Sequence, residues 1–266
     1  MRPFARSILT LSLLSACTTV QGENPPANAA TSLPSAPAEA TAVPRKDGKP
    51  NFNGIWVMAS YDLVWLPQEH NPPYTPEIRA EMERYNSRFI PKQDDPAQLC
   101  VRMGMPWRML NRARDYPVEI YQNPDRIIML FEGHDDYRSI RLDRTTVPEN
   151  LPALGNGWSN AKWEGDTLVI TTSNLTGRTS INPLQRSESA VITERWTLQK
   201  HPEFGDVVDI DITMTDPERY TAPIKAHNVY KRAAPGVEVG GYNCADALWE
   251  DYLAKREAEI AGPGGK

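Results

Sequence analysis

Residues 158–172 read W-S-N-A-K-W-E-G-D-T-L-V-I-T-T. Gly165-Asp166 offers the positive-φ turn that a tight hairpin needs, flanked by Trp158–Glu164 and by a second run beginning at Thr167. After the turn, Leu168, Ile170 and Thr172 alternate with Thr167, Val169 and Thr171, both sets β-branched or aliphatic. The stretch predicts a β-hairpin in the middle of an antiparallel sheet.

Working outward, the same alternation recurs. Val118–Tyr121 is a short strand, and Arg126–Glu132 holds the run I-I-M-L-F, which suits a strand buried on both faces or a barrel wall. Gly133-His134-Asp135-Asp136 is turn chemistry, and Tyr137–Asp143 returns as a strand. Ala190–Gln199 places Ile192, Glu194, Trp196 and Leu198 on one side. Val208, Ile210, Ile212 and Met214 alternate with Asp209, Asp211 and Thr213, a strand with one dry and one wet face. Ile224–Tyr230 is the last strand. Gly54-Ile55-Trp56 opens the first and is the G-x-W found at the start of lipocalin-like barrels, where the tryptophan plugs the closed end. Thr75-Pro76 starts a helix over 76–88 with Ile78, Met82, Tyr85 and Phe89 on one face. A second helix is predicted over 246–260, with Leu248, Trp249, Tyr252 and Leu253 toward the body. Residues 91–116 have no period and read as a loop. The predicted fold is mainly β, an antiparallel lipocalin-like barrel of about nine strands with two flanking helices.

The N-terminus predicts an address. Arg2 and Arg6 precede a short apolar segment, Ile8–Leu14, and Leu14-Ser15-Ala16-Cys17 resembles the bacterial lipoprotein cleavage box. Residues 1–16 are read as a lipoprotein signal peptide and Cys17 as the acylated N-terminus. Residues 17–50, rich in Pro, Ala, Ser and Thr, are read as a disordered tether. Lipid chains contribute about 0.8 kcal/mol per buried CH₂. The residue after the cysteine is Thr18 rather than Asp, so the expected location is the outer membrane, facing the periplasm. The barrel domain should occupy 51–261, leaving 262–266 as a flexible tail. In an oxidising compartment the remaining Cys100 and Cys244 suggest a disulfide, for which the chain-entropy model gives roughly 5 kcal/mol. A net charge of -5 argues against nucleic-acid binding.

Taken in order, G-I-W at 54–56, P-V-E-I-Y-Q at 117–122, L-F-E at 130–132, R-S-I-R-L-D at 138–143, W-E-G-D-T-L-V-I at 163–170, T-E-R-W at 193–196, D-P-E-R-Y-T-A-P at 216–223 and Y-N-C at 242–244 resemble a family of secreted bacterial proteins of unknown function. The likeness spans roughly residues 51–246, with W-E-G-D-T-L-V its most specific motif. The resemblance implies a lipocalin-like architecture and no established activity.

Residues that carry chemistry are few. His70, His134, His201 and His227 lack metal-ligand spacing, no serine sits in a nucleophile elbow, and no cofactor motif is present, so neither metal nor cofactor is expected. The unusual residues are charges on apolar faces. Glu194 shares a face with Ile192, Trp196 and Leu198, Glu132 with Ile128 and Leu130, and Arg138 with Ile140 and Leu142. Inside a barrel such charges are costly unless paired or used by a ligand. Glu132 and Arg138 flank one turn and are placed to pair across it; Arg138 is also expected within reach of Glu194. Glu194, Arg138 and Glu132 are therefore the catalytic candidates. The expected function is binding of a small, mostly apolar molecule by an envelope lipoprotein, with Trp56, Phe131, Trp158, Trp163, Trp196 and Tyr230 lining the cavity. The alternatives are a cofactor-free lyase, isomerase or hydratase acting on a hydrophobic substrate, and a structural lipoprotein with a filled barrel.

Overall fold

The computed structural model describes residues 42–59, 71–86, 100–102, 104–110, 116–177, 185–243, 248 and 250–255. A small hairpin, β1 (Arg45–Lys46) and β2 (Lys49–Pro50), precedes β3 (Gly54–Met58). Helix α1 (Pro76–Asn86) and the short α2 (Trp107–Leu110) follow. Then come β4 (Val118–Gln122), β5 (Arg126–Phe131), β6 (Asp136–Arg141), β7 (Trp158–Glu164), β8 (Thr167–Ser173), β9 (Val191–His201), β10 (Gly205–Thr215) and β11 (Ile224–Arg232). Nine of these strands close a barrel in the order β10-β11-β3-β4-β5-β6-β7-β8-β9, with β9 returning to β10. The hairpin expected at Gly165-Asp166 joins β7 to β8, with Glu164 opposite Thr167 and Gly165 at φ 62°.

One junction departs from the antiparallel expectation. β6 and β7 run parallel and pair only through Ile140 with Ser159 and Arg141 with Asn160. The cause is the long segment between them, which carries the chain back from one end of the barrel to the other, as a parallel pair requires.

The inward faces follow strand alternation. Ile127, Met129 and Phe131 of β5 point in, while Leu130 is exposed. The apolar run is thus a one-sided wall, and Glu132 continues its outer face. Leu168 and Ile170 of β8, Ile192 and Trp196 of β9, and Val208 to Met214 at alternate positions of β10 fill the core. Each fully buried aliphatic side chain contributes roughly 1.5–3 kcal/mol.

The two barrel ends are plugged differently. At the closed end Trp56 is fully buried, donates Nε1–H to Phe52 O at 2.8 Å, and carries the Arg232 guanidinium over its ring at 3.9 Å. Phe52 stacks on Trp163 and meets Trp196 edge-on. The β1–β2 hairpin is tied to this end: Arg45 pairs with Asp166 at 2.7 Å, and Lys46 Nζ donates to Gln122 O at 2.6 Å. This corrects the expected boundary at residue 51, because residues 45–50 belong to the folded body. Their turn is Asp47-Gly48, both at positive φ, the residue pair that suits a two-residue hairpin.

At the other end, α2 enters the mouth. Met105, Trp107, Met109 and Leu110 are buried there, and Met109 O accepts from Asn228 Nδ2 at 2.6 Å and from the Tyr230 hydroxyl at 3.2 Å. This element falls in the stretch expected to be loop; a single turn buried on all sides leaves no periodic face to read. Helix α1 starts at the expected cap, with Ile78 N–H donating to Thr75 Oγ1 at 3.4 Å and Met82 buried. Residues 250–255 are helical, with Leu248, Tyr252 and Leu253 exposed. Cys17, Cys244 and Trp249 lie outside the described residues. Among the described residues, no helix is long and apolar enough to cross a membrane.

Candidate functional site

Two buried charge clusters stand out, one midway along the barrel and one at its mouth. In the first, Arg138 from β6 reaches across β7 and β8 to Glu194 on β9. Its Nη1 and Nη2 donate to the two Glu194 oxygens at 3.0 and 2.5 Å, a bidentate pair. Nε donates to Ser159 Oγ at 3.1 Å, Nη2 also reaches Thr172 Oγ1 at 2.8 Å, and Trp196 Nε1–H donates to Glu194 Oε2 at 3.1 Å. Arg138 is 2 % exposed and Glu194 fully buried, and neither carries an unpartnered buried polar atom. The belt crosses the short parallel junction and links four consecutive strands.

The mouth cluster is built from α2 and the β5–β6 turn. Arg108, carried inward by α2, donates Nη1–H to Gly133 O at 2.8 Å and places Nη2 at 3.0 Å from Asp136 Oδ2. Nη2 and Oδ2 thus hold each other as an ion pair outside ideal hydrogen-bond geometry, and Arg108 Nε has no partner. Asp136 Oδ1 is occupied, accepting from Tyr137 N at 2.9 Å and Asn156 Nδ2 at 3.0 Å. His134, at φ 68°, has both ring nitrogens out of solvent and without a hydrogen-bond partner. Burial, and then the nearby Arg108 charge, lowers its pKa from the ordinary 6.5, favouring the neutral imidazole. Burial raises the Tyr230 phenol, with the Arg108 charge opposing, so it stays a neutral donor.

Against Arg108 lies a cavity of about 20 Å³ lined by Met58, Tyr116, Pro117, Val118, Phe131, Gly133 and Tyr230. Its walls combine apolar and aromatic side chains with polar surface, to which the guanidinium contributes; that group also sits 5.3 Å from the Phe131 ring. The volume is room for about one water. Unpartnered buried polar atoms concentrate around this end: Arg108, His134, Asp136, Asn156, Thr176, Arg186 and Arg219 all contribute, whereas the closed end offers Asp206 Oδ1, which lies 2.5 Å from Lys200 Nζ.

Of the sequence candidates, Arg138 and Glu194 are brought together. Glu132 is not: the β5–β6 register sets Met129 opposite Arg138, and Glu132 Oε2 instead accepts from Gly240 N at 2.7 Å on the outer side. Phe131 and Tyr230 line the cavity. Trp56 and Trp196 are fully buried in the solid part of the barrel, and Trp163 stacks at the closed end. Trp158 is buried but has the opposite parity to Ser159 and Ala161, which turns it out of the interior. Sequence reasoning missed Arg108 and Asp136. The available signals were an arginine within an apolar W-R-M-L and two adjacent acids in one turn, neither specific. It also missed Asp209, Asp211 and His227, whose ligand atoms lie within 4.8 Å of one another on the outer wall. Asp211 faces His227 across two strands, so no spacing along the chain reveals them. A hydrogen bond between His227 Nδ1 and Asp211 Oδ1 at 3.1 Å accounts for the arrangement.

No family model and no curated protein matches this chain.

Proposed function

We propose that this is an envelope lipoprotein, anchored through acylated Cys17, whose barrel binds a small, mostly apolar molecule at its mouth with a polar or anionic end on Arg108. The observation that carries this reading is a buried guanidinium whose Nε has no hydrogen-bond partner, on the wall of a cleft lined mostly by apolar and aromatic residues. A buried donor left unmatched costs about 1–3 kcal/mol, which an acceptor on the ligand would relieve. The cleft itself admits only about one water, so the apolar body rests outside it, against Tyr116, which is 38 % exposed. The motif resemblance to secreted bacterial proteins supports the same address.

The test uses 1-anilinonaphthalene-8-sulfonate, which joins an apolar body to one anion. Saturable binding that weakens about tenfold or more in Arg108→Gln is expected; equal binding by wild type and variant discards the site. Cys17→Ala should release unprocessed or soluble protein, and unchanged membrane fractionation with an unmodified mature peptide removes the lipid anchor.

A structural role is favoured by the filled interior, in which Trp56, Trp196 and Arg138 are all packed. An enzymatic role, a lyase, isomerase or hydratase, is favoured by the unpartnered neutral imidazole of His134, which suits a general base. In that reading the base is His134 rather than Glu194, whose oxygens are taken by Arg138 and Trp196.

A further inference from the structure

Among the described residues, one buried arginine faces no carboxylate. Arg186, between β8 and β9, is 3 % exposed. Its Nη2 donates to Gly155 O at 2.8 Å, an oxygen that also accepts from Met105 N at 3.0 Å, and its Nε has no partner. The other buried arginines meet carboxylates: Arg138 meets Glu194 at 2.5 Å, Arg108 meets Asp136 at 3.0 Å and Arg219 lies 3.8 Å from Glu81. Among the described residues no carboxylate stands at Arg186, and burial alone pulls its guanidinium down to about 10. The adjoining stretch 178–184, R-T-S-I-N-P-L, contains no acid.

A second orphaned group lies alongside. Thr176 Oγ1 is buried without a partner, while its backbone N–H donates to Leu154 O at 3.0 Å, one residue before the Gly155 that holds Arg186. The two residues are thus tied to consecutive carbonyls, those of Leu154 and Gly155. The opposite side is bare backbone. A Cβ on Gly104 would come within 3.0 Å of Arg186 Nη2 and 2.2 Å of Gly155 O, so only glycine allows this approach.

We propose that Arg186 and Thr176 form an oxyanion-binding site at the rim of the barrel, taking a phosphate or carboxylate group. A planar guanidinium presents paired N–H donors that match the oxygens of either anion, and a threonine hydroxyl adds a third donor. The anion supplies the charge that the described residues do not place at Arg186. The site is independent of the Arg108 cleft and rests on different atoms.

The experiment follows the melting temperature of the mature full-length chain in a zwitterionic buffer at constant ionic strength, as inorganic phosphate or acetate is added. A hundredfold excess over Kd should raise it by about 5–10 °C for a protein of this size. Without anion, Arg186→Met should melt at least as high as wild type, because it removes an uncompensated charge, and it should not respond to phosphate. Thr176→Val leaves the cation in place and should weaken phosphate binding about tenfold, which decides the matter if Arg186→Met does not fold. Arg108→Gln should respond to phosphate like wild type, separating this site from the mouth cleft. Co-sedimentation with phosphatidylglycerol vesicles, lost in Arg186→Met, would name a lipid headgroup as the source; a response to free phosphate without vesicle binding names a soluble anion. Equal shifts in wild type and in both the Arg186 and Thr176 variants, or no response to either anion and no vesicle binding, overturns the proposal.

Discussion

Two buried arginine–carboxylate pairs of this barrel use the same chemistry and solve opposite problems. Arg138–Glu194 is bidentate, with its remaining donors and acceptors matched by Ser159, Thr172 and Trp196. Arg108–Asp136 meets through one contact at 3.0 Å, and leaves Arg108 Nε without a partner beside a cavity. A buried pair is tolerated when its hydrogen-bonding capacity is consumed. The first pair therefore reads as part of the frame, and the second as a place where something else is meant to bind.

The comparison can be broken most sharply at the frame. Glu194→Ala leaves the Arg138 guanidinium buried and alone, and should cost about 3–5 kcal/mol in chemical denaturation. Replacing both partners, Arg138→Met with Glu194→Leu, should recover most of that loss; a double variant as unstable as the single one contradicts the interpretation of the pair.

The next effect bears on the mouth. Arg102 Nη2 donates to Asp135 O at 3.4 Å and Tyr242 N donates to Asp135 Oδ1 at 2.9 Å, so the neighbours of Cys100 and Cys244 meet at one residue. This supports the proposed disulfide, whose loss in Cys100→Ser should cost about 2–4 kcal/mol. Labelling of both cysteines under denaturing, non-reducing conditions is the contrary result.

Arg108→Gln should cost less than the frame mutation, about 1–2 kcal/mol, because Arg108 meets its carboxylate through one contact where Arg138 makes two, and its Nε makes no hydrogen bond. A loss as large as that of Glu194→Ala would mean that the mouth is as much a frame as the interior.

The smallest effect is with pH. The His134 pKa is lowered in the folded state, so the unfolded chain binds the proton more readily. The stability this contributes is fully present above the ordinary value of 6.5 and is lost as pH falls through it toward the folded value. Melting temperatures measured between pH 7.5 and about 5 should decline less steeply in His134→Asn; identical slopes would show that the imidazole titrates freely.

Much of the barrel was legible because its strands are one-sided. Val208 to Met214 and Ile192 to Leu198 announce their inward faces by parity alone, and parity also put Glu194 inside. What could not be read was anything decided by a turn or a plug. Asp47-Gly48 carries a hairpin signal, yet it lies against a Pro- and Ala-rich stretch whose composition dominates the reading. Helix α2 is one turn long and buried throughout, so it has no amphipathic pattern, and with it Arg108 went unseen. The partnership of Arg138 with Glu194 rather than Glu132 depends on which strands are neighbours, a property of closure that no local pattern contains.

The parallel junction between β6 and β7 has a consequence for how the barrel moves. It is held by two residue pairs, whereas β9 and β10 are zipped along eleven. Amide protons along β9 and β10 should exchange only with global unfolding, while those of Ile140, Arg141 and Asn160 should exchange through a smaller, local parting of the wall. The Arg138 belt spans that seam from inside, so it acts as the clasp on a ring otherwise free to spring open there.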